Sequence, residues 1–487
     1  MKKTFVIFIL CLVLALGGVA AAVLPIRDSQ DQVTVSATTL EGDPRAAQGL
    51  TATAILQLNG QVTWSIAVPA DEPQAAVTER SQSLGSPDPD SYAHSPQVNL
   101  SDDRDAAGFS SPSGSPMEDA LNQSSPLVKV INPVYADVAS RTPKGESRTE
   151  TLNMADYLDH YPFSLWVDYP YDLQWEGQTM ETYQGAEAIV QAIRDFFAIP
   201  LPEEDLWAVT VEKNQEGDIL ALQCKAAGFT PSLYPLTVFP QGACLFTFRD
   251  DLAFGLDFDQ IPGGYGIYRM DRADTILALE SLTNVFSLPE GSSVLTMDLA
   301  PDGKDLFLTY CLGEDYTLLI LDPETITVKQ SFPIPARAPL TTQVFTLDYQ
   351  GKSISRESIQ WDVDAALYLE NGFLVYGYET FHFFARNPDG SYALQFSRPR
   401  PASVSGSPSN LFAAWNGEKL ALASGTYTTY TDTGFTVTIL DDAGAVLYRG
   451  LYENSLSDPV QESHNYTVES PNVPILAESD YLALAWE

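Results

Sequence analysis

The sequence predicts a mainly β protein built from repeated small antiparallel sheets. The strongest observation is the stretch 294–334, where apolar segments are separated by turn residues at 301–303 (PDG), at Gly313 and at 322–323 (DP). The chain has 487 residues, of which 45% are hydrophobic and 11% aromatic, enough to bury a large core. Strand-like apolar cores recur at 219–224, 252–258, 306–310, 373–378, 419–424 and 481–486.

The chain begins with an export signal. Lys2 and Lys3 precede an uncharged stretch, 4–26, and the next charges are Arg27 and Asp28. An uncut stretch would cross a bilayer of about 30 Å at about 1.5 Å per residue, whereas the small residues 20–22 would allow cleavage and secretion. We therefore expect residues 1–26 to be a signal anchor, with a single pass through the cell membrane and the rest outside; a cleaved signal peptide is the alternative.

Residues 27–50 are expected to be a juxtamembrane segment, and a β-hairpin follows at 51–69. Apolar residues alternate on both sides of Asn59-Gly60, a pair that accepts positive φ at both central turn positions. A two-residue type I′ turn is predicted. The end of the chain, 477–487, resembles the first two strands of a sheet with nothing after them. We expect the hairpin to complete that sheet, which would remove exposed edges.

A low-complexity linker is predicted at 70–126, rich in Ser, Pro, Asp, Gln and Ala and poor in large apolar residues. The folded domain is expected to run over 127–487. Within it, the stretch 185–199 departs from the β pattern and predicts one amphipathic helix that covers the core. Its apolar residues recur at three- and four-residue steps: Ala186, Ile189, Val190, Ile193, Phe196 and Phe197.

The segment 301–334 (PDGKDLFLTYCLGEDYTLLILDPETITVKQSFPI) resembles one repeat of the bacterial YVTN or WD40-like β-propeller class. The segments 367–396 and 414–450 resemble the repeat more loosely. The resemblance covers about half the chain and implies an irregular β-propeller of about six or seven blades, whose ring we expect the hairpin 51–69 to close by completing the last blade. It implies no activity, because propellers bind very different things.

Charge limits the possible partners. The sequence contains 26 Lys and Arg against 64 Asp and Glu, a formal net charge of -38. Such a field repels nucleic acid and anionic lipid headgroups at long range. The acidity is typical of a soluble surface, and cationic partners or loosely held calcium are the specific alternatives.

Four cysteines are present, and Cys11 lies in the leader. In an exported protein Cys224 could pair with Cys244. The other possibility, which the odd number left in the folded part favours, is that Cys224, Cys244 and Cys311 are all free core residues.

Motifs for catalysis or metal binding are not found in the sequence. The four histidines are far apart, and His382 is interpreted as a packed strand residue. Residues 263–266 (GGYG) are interpreted as a loop, since they lack phosphate-binding spacing. Acidic groups at 203–205, 250–251 and at Asp257 with Asp259 are interpreted as solvated loops; the last could hold calcium weakly. An aromatic cluster comprises Trp166, Tyr169, Tyr171 and Trp175.

These features favour a non-catalytic extracytoplasmic binding or scaffold protein that engages protein or polysaccharide at the cell surface through its loops. An extracellular glycan-active hydrolase or lyase is one alternative, and a cell-envelope assembly factor is another. We assign no catalytic, cofactor-binding or metal-binding residue and no cofactor, and whether the protein is an enzyme stays open.

Overall fold

The computed structural model describes residues 34–58, 62–82, 97–102, 126–161, 163–168, 195–201, 205–226, 234–249, 256–273, 276–335, 341–349, 352–363, 365–369, 371–377, 379–400, 411–425, 434–454, 474–476 and 482–486. The predicted leader, 1–26, lies outside these residues. In the part that is described, no helix has both the length and the apolar character needed to cross a membrane.

The protein is mainly β, as predicted. Its helix α1 covers Pro126–Arg141, and short 3-10 turns cover Pro44–Ala47, Pro73–Ala75, Met154–Asp156 and Phe258–Gln260. The strands are, in chain order, β1 (Val35–Gly42), β2 (Leu50–Leu58), β3 (Val62–Pro69), β4 (Val77–Gln82), β5 (Gln97–Asp102), β6 (Ser147–Asn153), β7 (Phe163–Asp168), β8 (Leu206–Lys213), β9 (Ile219–Ala226), β10 (Tyr234–Val238), β11 (Ala243–Arg249), β12 (Gly266–Ala273), β13 (Ile276–Ser287), β14 (Ser292–Leu299), β15 (Leu306–Leu312), β16 (Asp315–Leu321), β17 (Val328–Ile334), β18 (Thr341–Tyr349), β19 (Lys352–Gln360), β20 (Ala365–Leu369), β21 (Gly372–Tyr376), β22 (Thr380–Arg386), β23 (Tyr392–Pro399), β24 (Leu411–Trp415), β25 (Leu420–Gly425), β26 (Phe435–Leu440), β27 (Val446–Asn454), β28 (Pro474–Leu476) and β29 (Leu482–Trp486).

The chain forms two compact units, one from Met1–Ser91 with Leu367–Glu487 and one from Tyr92–Ala366. The first unit contains three sheets. In sheet I, β2 pairs with β3 on one side and with β28 and β29 on the other, and β4 follows β3. Sheet II has the order β1-β27-β26-β25-β24, and sheet III runs β20-β21-β22-β23.

The second unit contains sheet IV (β10-β11-β12-β13), sheet V (β14-β15-β16-β17) and sheet VI (β6-β8-β9), with the two-stranded pairs β5-β7 and β18-β19. Sheets IV and V share one apolar core, and α1 packs on one face of sheet VI. Sheets III, IV and V each join four consecutive antiparallel strands by hairpins, the arrangement found in propeller blades.

Sheet V confirms the prediction for 294–334. Its strands end where the turn residues stand, and Gly303 and Gly313 have φ of 69° and 61°, the left-handed conformation that glycine adopts without strain. Apolar residues of β15 and β16 form the core of this sheet, and Leu306, Phe307 and Leu318 are buried.

The β2-β3 hairpin is confirmed, but its predicted two-residue turn is wrong. Leu58 pairs with Val62, so three residues connect the strands. An odd number of connecting residues keeps even-numbered positions opposite one another. This register therefore places Ala54 opposite Ile66, and both residues are buried. A two-residue loop would have placed apolar side chains opposite polar ones.

Both ends of the described chain enter neighbouring sheets. β29 supplies one strand to sheet I where the sequence suggested two, and β28 continues along the same side of β2. β1 lies within the expected juxtamembrane segment and pairs with β27, while β4 and β5 lie within the expected linker. Long-range pairing orders these segments, although their composition alone would not.

The helices differ from expectation. Most of the helix predicted at 185–199 lies outside the described residues, which show only 195–197 as helical; there Phe197 is fully buried. The helix α1 was not predicted. Its buried residues Ile131, Tyr135 and Val138 follow helical spacing, but Pro133 and several β-branched residues weaken the local signal.

Candidate functional site

The carboxylates considered for acid–base chemistry or calcium binding are occupied by structural hydrogen bonds. Asp205 is buried and accepts a hydrogen bond from Trp207 Nε1 at 3.0 Å, so the solvated loop predicted for it is wrong. Asp257 accepts from the backbone N–H of Asp259 at 3.1 Å, and Asp259 accepts from that of Gly291 at 2.9 Å. Residues 203–204 and 250–251 lie outside the described part.

Among the described residues, no group of three or more His, Cys, Asp or Glu side chains could hold a metal ion. His160 is exposed, and His94 and His464 lie outside the described residues.

His382 is fully buried at the centre of sheet III, in agreement with its interpretation as a packed strand residue. Its Nδ1 lies 2.9 Å from Ser397 Oγ on β23, and its Nε2 lies 3.2 Å from Thr380 Oγ1 on β22. The ring therefore connects two strands through hydroxyl groups. A buried polar group needs such partners, and this arrangement stabilises the sheet.

Replacing His382 with phenylalanine keeps an aromatic ring but removes both nitrogens. We expect a loss of about 2 kcal/mol in unfolding free energy, because two hydroxyls lose their ring partner. Chemical denaturation measures this. The exposed His160→Phe is the matched control and should change stability by less than about 0.5 kcal/mol; equal effects of the two variants would contradict the assigned role.

The cysteines confirm the second possibility considered for them. Cys224, Cys244 and Cys311 are buried and free, and they lie in sheets VI, IV and V. Burial raises the pKa of the Cys224 and Cys244 thiols to about 12, so neither is an activated nucleophile.

Of the two remaining motifs, the structure describes the 263–266 loop and one member of the aromatic cluster. Asn284 Nδ2 donates to the carbonyl oxygens of Gly263 and Gly264 at 2.9 and 2.7 Å, which fixes the predicted loop. Trp166 lies in β7 opposite Asn99, and the other members of its proposed cluster, Tyr169, Tyr171 and Trp175, lie outside the described residues.

Short turns that carry carboxylates, at one end of sheets II and III in the first unit and of sheet V in the second, are the best candidates for functional surfaces, each on its own unit. Consecutive antiparallel strands place the first and third turns of a sheet at the same end. These turns are 300–305 and 322–327 in sheet V, 416–419 and 441–445 in sheet II, and 387–391 as the third turn of sheet III. We call this set the acidic turns. Their exposed acids are Asp302, Glu324, Asp389, Glu418 and Asp442.

Each acidic turn is held by a side-chain oxygen that accepts backbone N–H groups. Asn416 Oδ1 accepts from Glu418 and Lys419 at 3.0 and 2.8 Å, and Asp441 Oδ1 accepts from Ala443 and Ala445 at 3.0 and 2.7 Å. Such bonds fix a turn without a partner molecule. Sequence inspection missed that these residues orient the neighbouring acids.

Two carboxylates in these turns, those of Asp322 and Asp389, have a pKa below the usual range. The pKa of Asp322 lies below its usual range mainly because its carboxylate accepts a hydrogen bond from the Thr325 backbone N–H, and the Glu324 N–H adds to this effect. The pKa of Asp389 is lowered mainly by the hydrogen bond from the Ser391 hydroxyl, and further by that from the Ser391 N–H. Hydrogen bonds to the charged form account for both directions.

The turn 322–327 is the most constrained. Ile326 has φ of 56°, a conformation that strains a β-branched residue, and its side chain is buried in the core. Its N–H donates to Asp322 O at 2.8 Å, and Arg269 Nη1 of sheet IV donates to Glu324 O at 3.1 Å. Such strain persists only where surrounding contacts determine it, so this turn has one conformation.

The Lys329 ammonium links the two turns of sheet V. Its Nζ lies 2.7 Å from Lys304 O, 3.1 Å from Asp305 Oδ1 and 3.4 Å from Asp322 Oδ2. Asp305 is only 5% exposed, and the Lys329 ammonium offsets part of the cost of burying its carboxylate. The ion pairs fix the spacing of the acids at this end of the sheet.

Comparisons with known proteins give no family. No family model matches the chain, and no curated protein matches its sequence. Among solved structures, it is similar to a protein of Bacteroides fragilis NCTC 9343 provisionally named 6-phosphogluconolactonase, at 9% identity and a TM-score of 0.30 over 83% of this chain and 95% of that one. A protein of Bacteroides uniformis ATCC 8492 with the same provisional name gives 13% identity and 0.29 over 82% and 95%.

The β-propeller domain of Cps50 (Swd1) from Myceliophteria thermophila gives 12% identity and a TM-score of 0.26, over 50% of this chain and 66% of that one. At TM-scores of 0.30 and below, these similarities carry no argument about what this chain binds or catalyses.

Proposed function

We propose that this chain is a non-catalytic extracytoplasmic binding or scaffold protein, an irregular β-propeller of about six or seven blades held at the membrane by residues 1–26. It engages a positively charged protein or polysaccharide through the acidic turns. The observation that carries the proposal is that rigid turns at one end of a sheet present exposed carboxylates in fixed positions.

Rigidity supports binding because an ordered loop loses little conformational entropy when its partner arrives. The turns 300–305 and 322–327 are fixed by Lys329 and by backbone hydrogen bonds, and those in sheet II by Asn416 and Asp441. A net charge of -38 adds long-range attraction for a cation-rich partner and increases its association rate.

Neutralising the acidic turns should weaken that binding. The test variant carries Asp302→Asn, Glu324→Gln, Glu418→Gln and Asp442→Asn, which remove four charges while the hydrogen-bond acceptors of the turns remain. The probes are chitosan, a lysine-rich protein and cell-surface extract, with binding measured by interferometry. We expect at least a tenfold loss of affinity for one of these probes, and weaker wild-type binding at high salt.

The matched control uses sheet V alone. Glu314 and Asp315 are exposed at the opposite end of this sheet. The control variant carries Glu314→Gln and Asp315→Asn. It removes two negative charges, as the pair Asp302→Asn and Glu324→Gln does in the acidic turns. Equal losses from the two pairs would show that only net charge matters. If the wild-type chain bound none of the three probes, the proposed function would be wrong.

A further inference from the structure

The outer edge of β2 is covered by chain that is distant in sequence. β29 pairs with the first half of β2, from Leu50 opposite Trp486 to Ala54 opposite Leu482. β28 pairs with the second half, from Leu56 to Leu58. Sheet I is therefore completed by segments more than 400 residues from β2 along the chain.

β29 is held by its pairing with β2, by contacts with β24 and β25 of sheet II and by one buried side chain. Of its five residues only Leu482 is buried, at 2% exposure, whereas Ala483 and Ala485 are exposed. Trp486 Nε1 donates to Ala414 O at 3.1 Å, and Lys419 Nζ lies 6.0 Å from the centre of its ring. Single hydrogen bonds of this kind contribute about 1 kcal/mol each, and a partly exposed cation–π contact a similar amount.

The edge of β2 that pairs with β29 has a definite alternation of buried and half-buried side chains. Ala52 and Ala54 are buried and alternate with Thr51 and Thr53, which are half-buried. A strand that pairs here must present a matching alternation, as β29 does with the sequence LALAW. An unpaired edge of this kind is a template for another strand.

The connection between β27 and β29 is long enough to reach another molecule. β28 lies between the two strands and itself pairs with β2, so exchange requires β28 and β29 to move together, and residues 455–473 then form the connection. An extended chain spans about 3.3 Å per residue, so this connection could cover several tens of ångströms. The same contacts can then form within one chain or between two chains.

We propose that β28 and β29 form an exchangeable segment and that β2 takes up residues 474–476 and 482–486 of a second copy of this chain. Reciprocal exchange gives a closed dimer, because each copy donates one segment and accepts one. In dilute solution the intramolecular arrangement is favoured by its high effective concentration, and exchange appears at high protein concentration or after gentle warming.

The test uses two full-length chains with different affinity tags. Each is purified as a monomer, mixed at high concentration, warmed below the melting temperature and cooled. We expect a discrete dimer by light scattering that contains both tags after capture on either one. Wild-type chains that yield no mixed dimer under these conditions overturn the proposal.

A cross-strand disulfide provides the control. Thr53 and Ala483 are register partners away from the buried face, at a Cα separation that suits a disulfide in antiparallel strands. The variant Thr53→Cys with Ala483→Cys, oxidised as a monomer, should give no mixed dimer, and reduction should restore it. Mixed dimers from the oxidised variant would show that another surface is responsible.

A peptide assay avoids any dependence on the folding of a variant. A fluorescent peptide of residues 480–487 is added to the wild-type full-length chain, with a scrambled peptide as control. We expect slow incorporation that is limited by release of the resident β29, and none into the oxidised variant. Equal binding of the scrambled peptide would contradict strand exchange at β2.

Discussion

Replacing Ala52 with aspartate should lower the melting temperature by about 10 °C. Ala52 is fully buried in β2, opposite Val68 of β3 and Leu484 of β29, so the new carboxylate has no water and no cation. An uncompensated buried charge costs about 4 kcal/mol, and each kcal/mol shifts the midpoint of a unit of this size by about 2–4 °C. Differential scanning calorimetry measures the change.

The neighbouring position is the matched control. Thr53 occupies the other face of β2, and Thr53→Asp should cost about 1 kcal/mol, mainly through the poor strand propensity of aspartate. Similar effects of the two variants would contradict the burial pattern. A single transition that shifts as a whole supports the proposal that this hairpin closes the ring, whereas a shift in only one of two transitions argues against it.

Replacing Lys329 with methionine should reduce the unfolding free energy by about 3 kcal/mol, because it leaves the buried Asp305 carboxylate without its cation. The side chain of Lys329 is itself 37% exposed, which places the effect at the lower end of the range for buried pairs. Urea denaturation measures the loss. Adding Asp305→Asn to Lys329→Met should recover at least half of it, since the amide carries no charge.

Lys304→Met is the control for this prediction. Lys304 Nζ lies 3.6 Å from Asp302 Oδ2, and the Lys304 side chain is 72% exposed, against 32% for that of Asp302. A surface pair of this kind contributes less than about 1 kcal/mol. If Lys304→Met cost as much as Lys329→Met, the buried position of Asp305 would not explain the effect.

Local sequence signals predicted much of sheet V and little of the candidate site. The PDG turn at 301–303 and the DP turn at 322–323 carry their conformation in a few residues, so they could be recognised without a structure. The position of Lys329 between Asp305 and Asp322 could not be predicted from local sequence. It depends on the register of β17 against β16 and on the pairing of β15 with β16. The strain at Ile326 is visible only in the backbone.

An acidic, mainly β protein with short turns at definite places can be predicted from the sequence alone, because turn chemistry, alternation and charge act over a few residues or over the whole composition. Which strands pair with one another is visible only in the folded chain. The pairing of β1 with β27 and of β29 with β2 joins segments hundreds of residues apart, and the helix α1 forms against sheet VI despite Pro133. Such contacts depend on burial shared by distant segments, which no local pattern encodes.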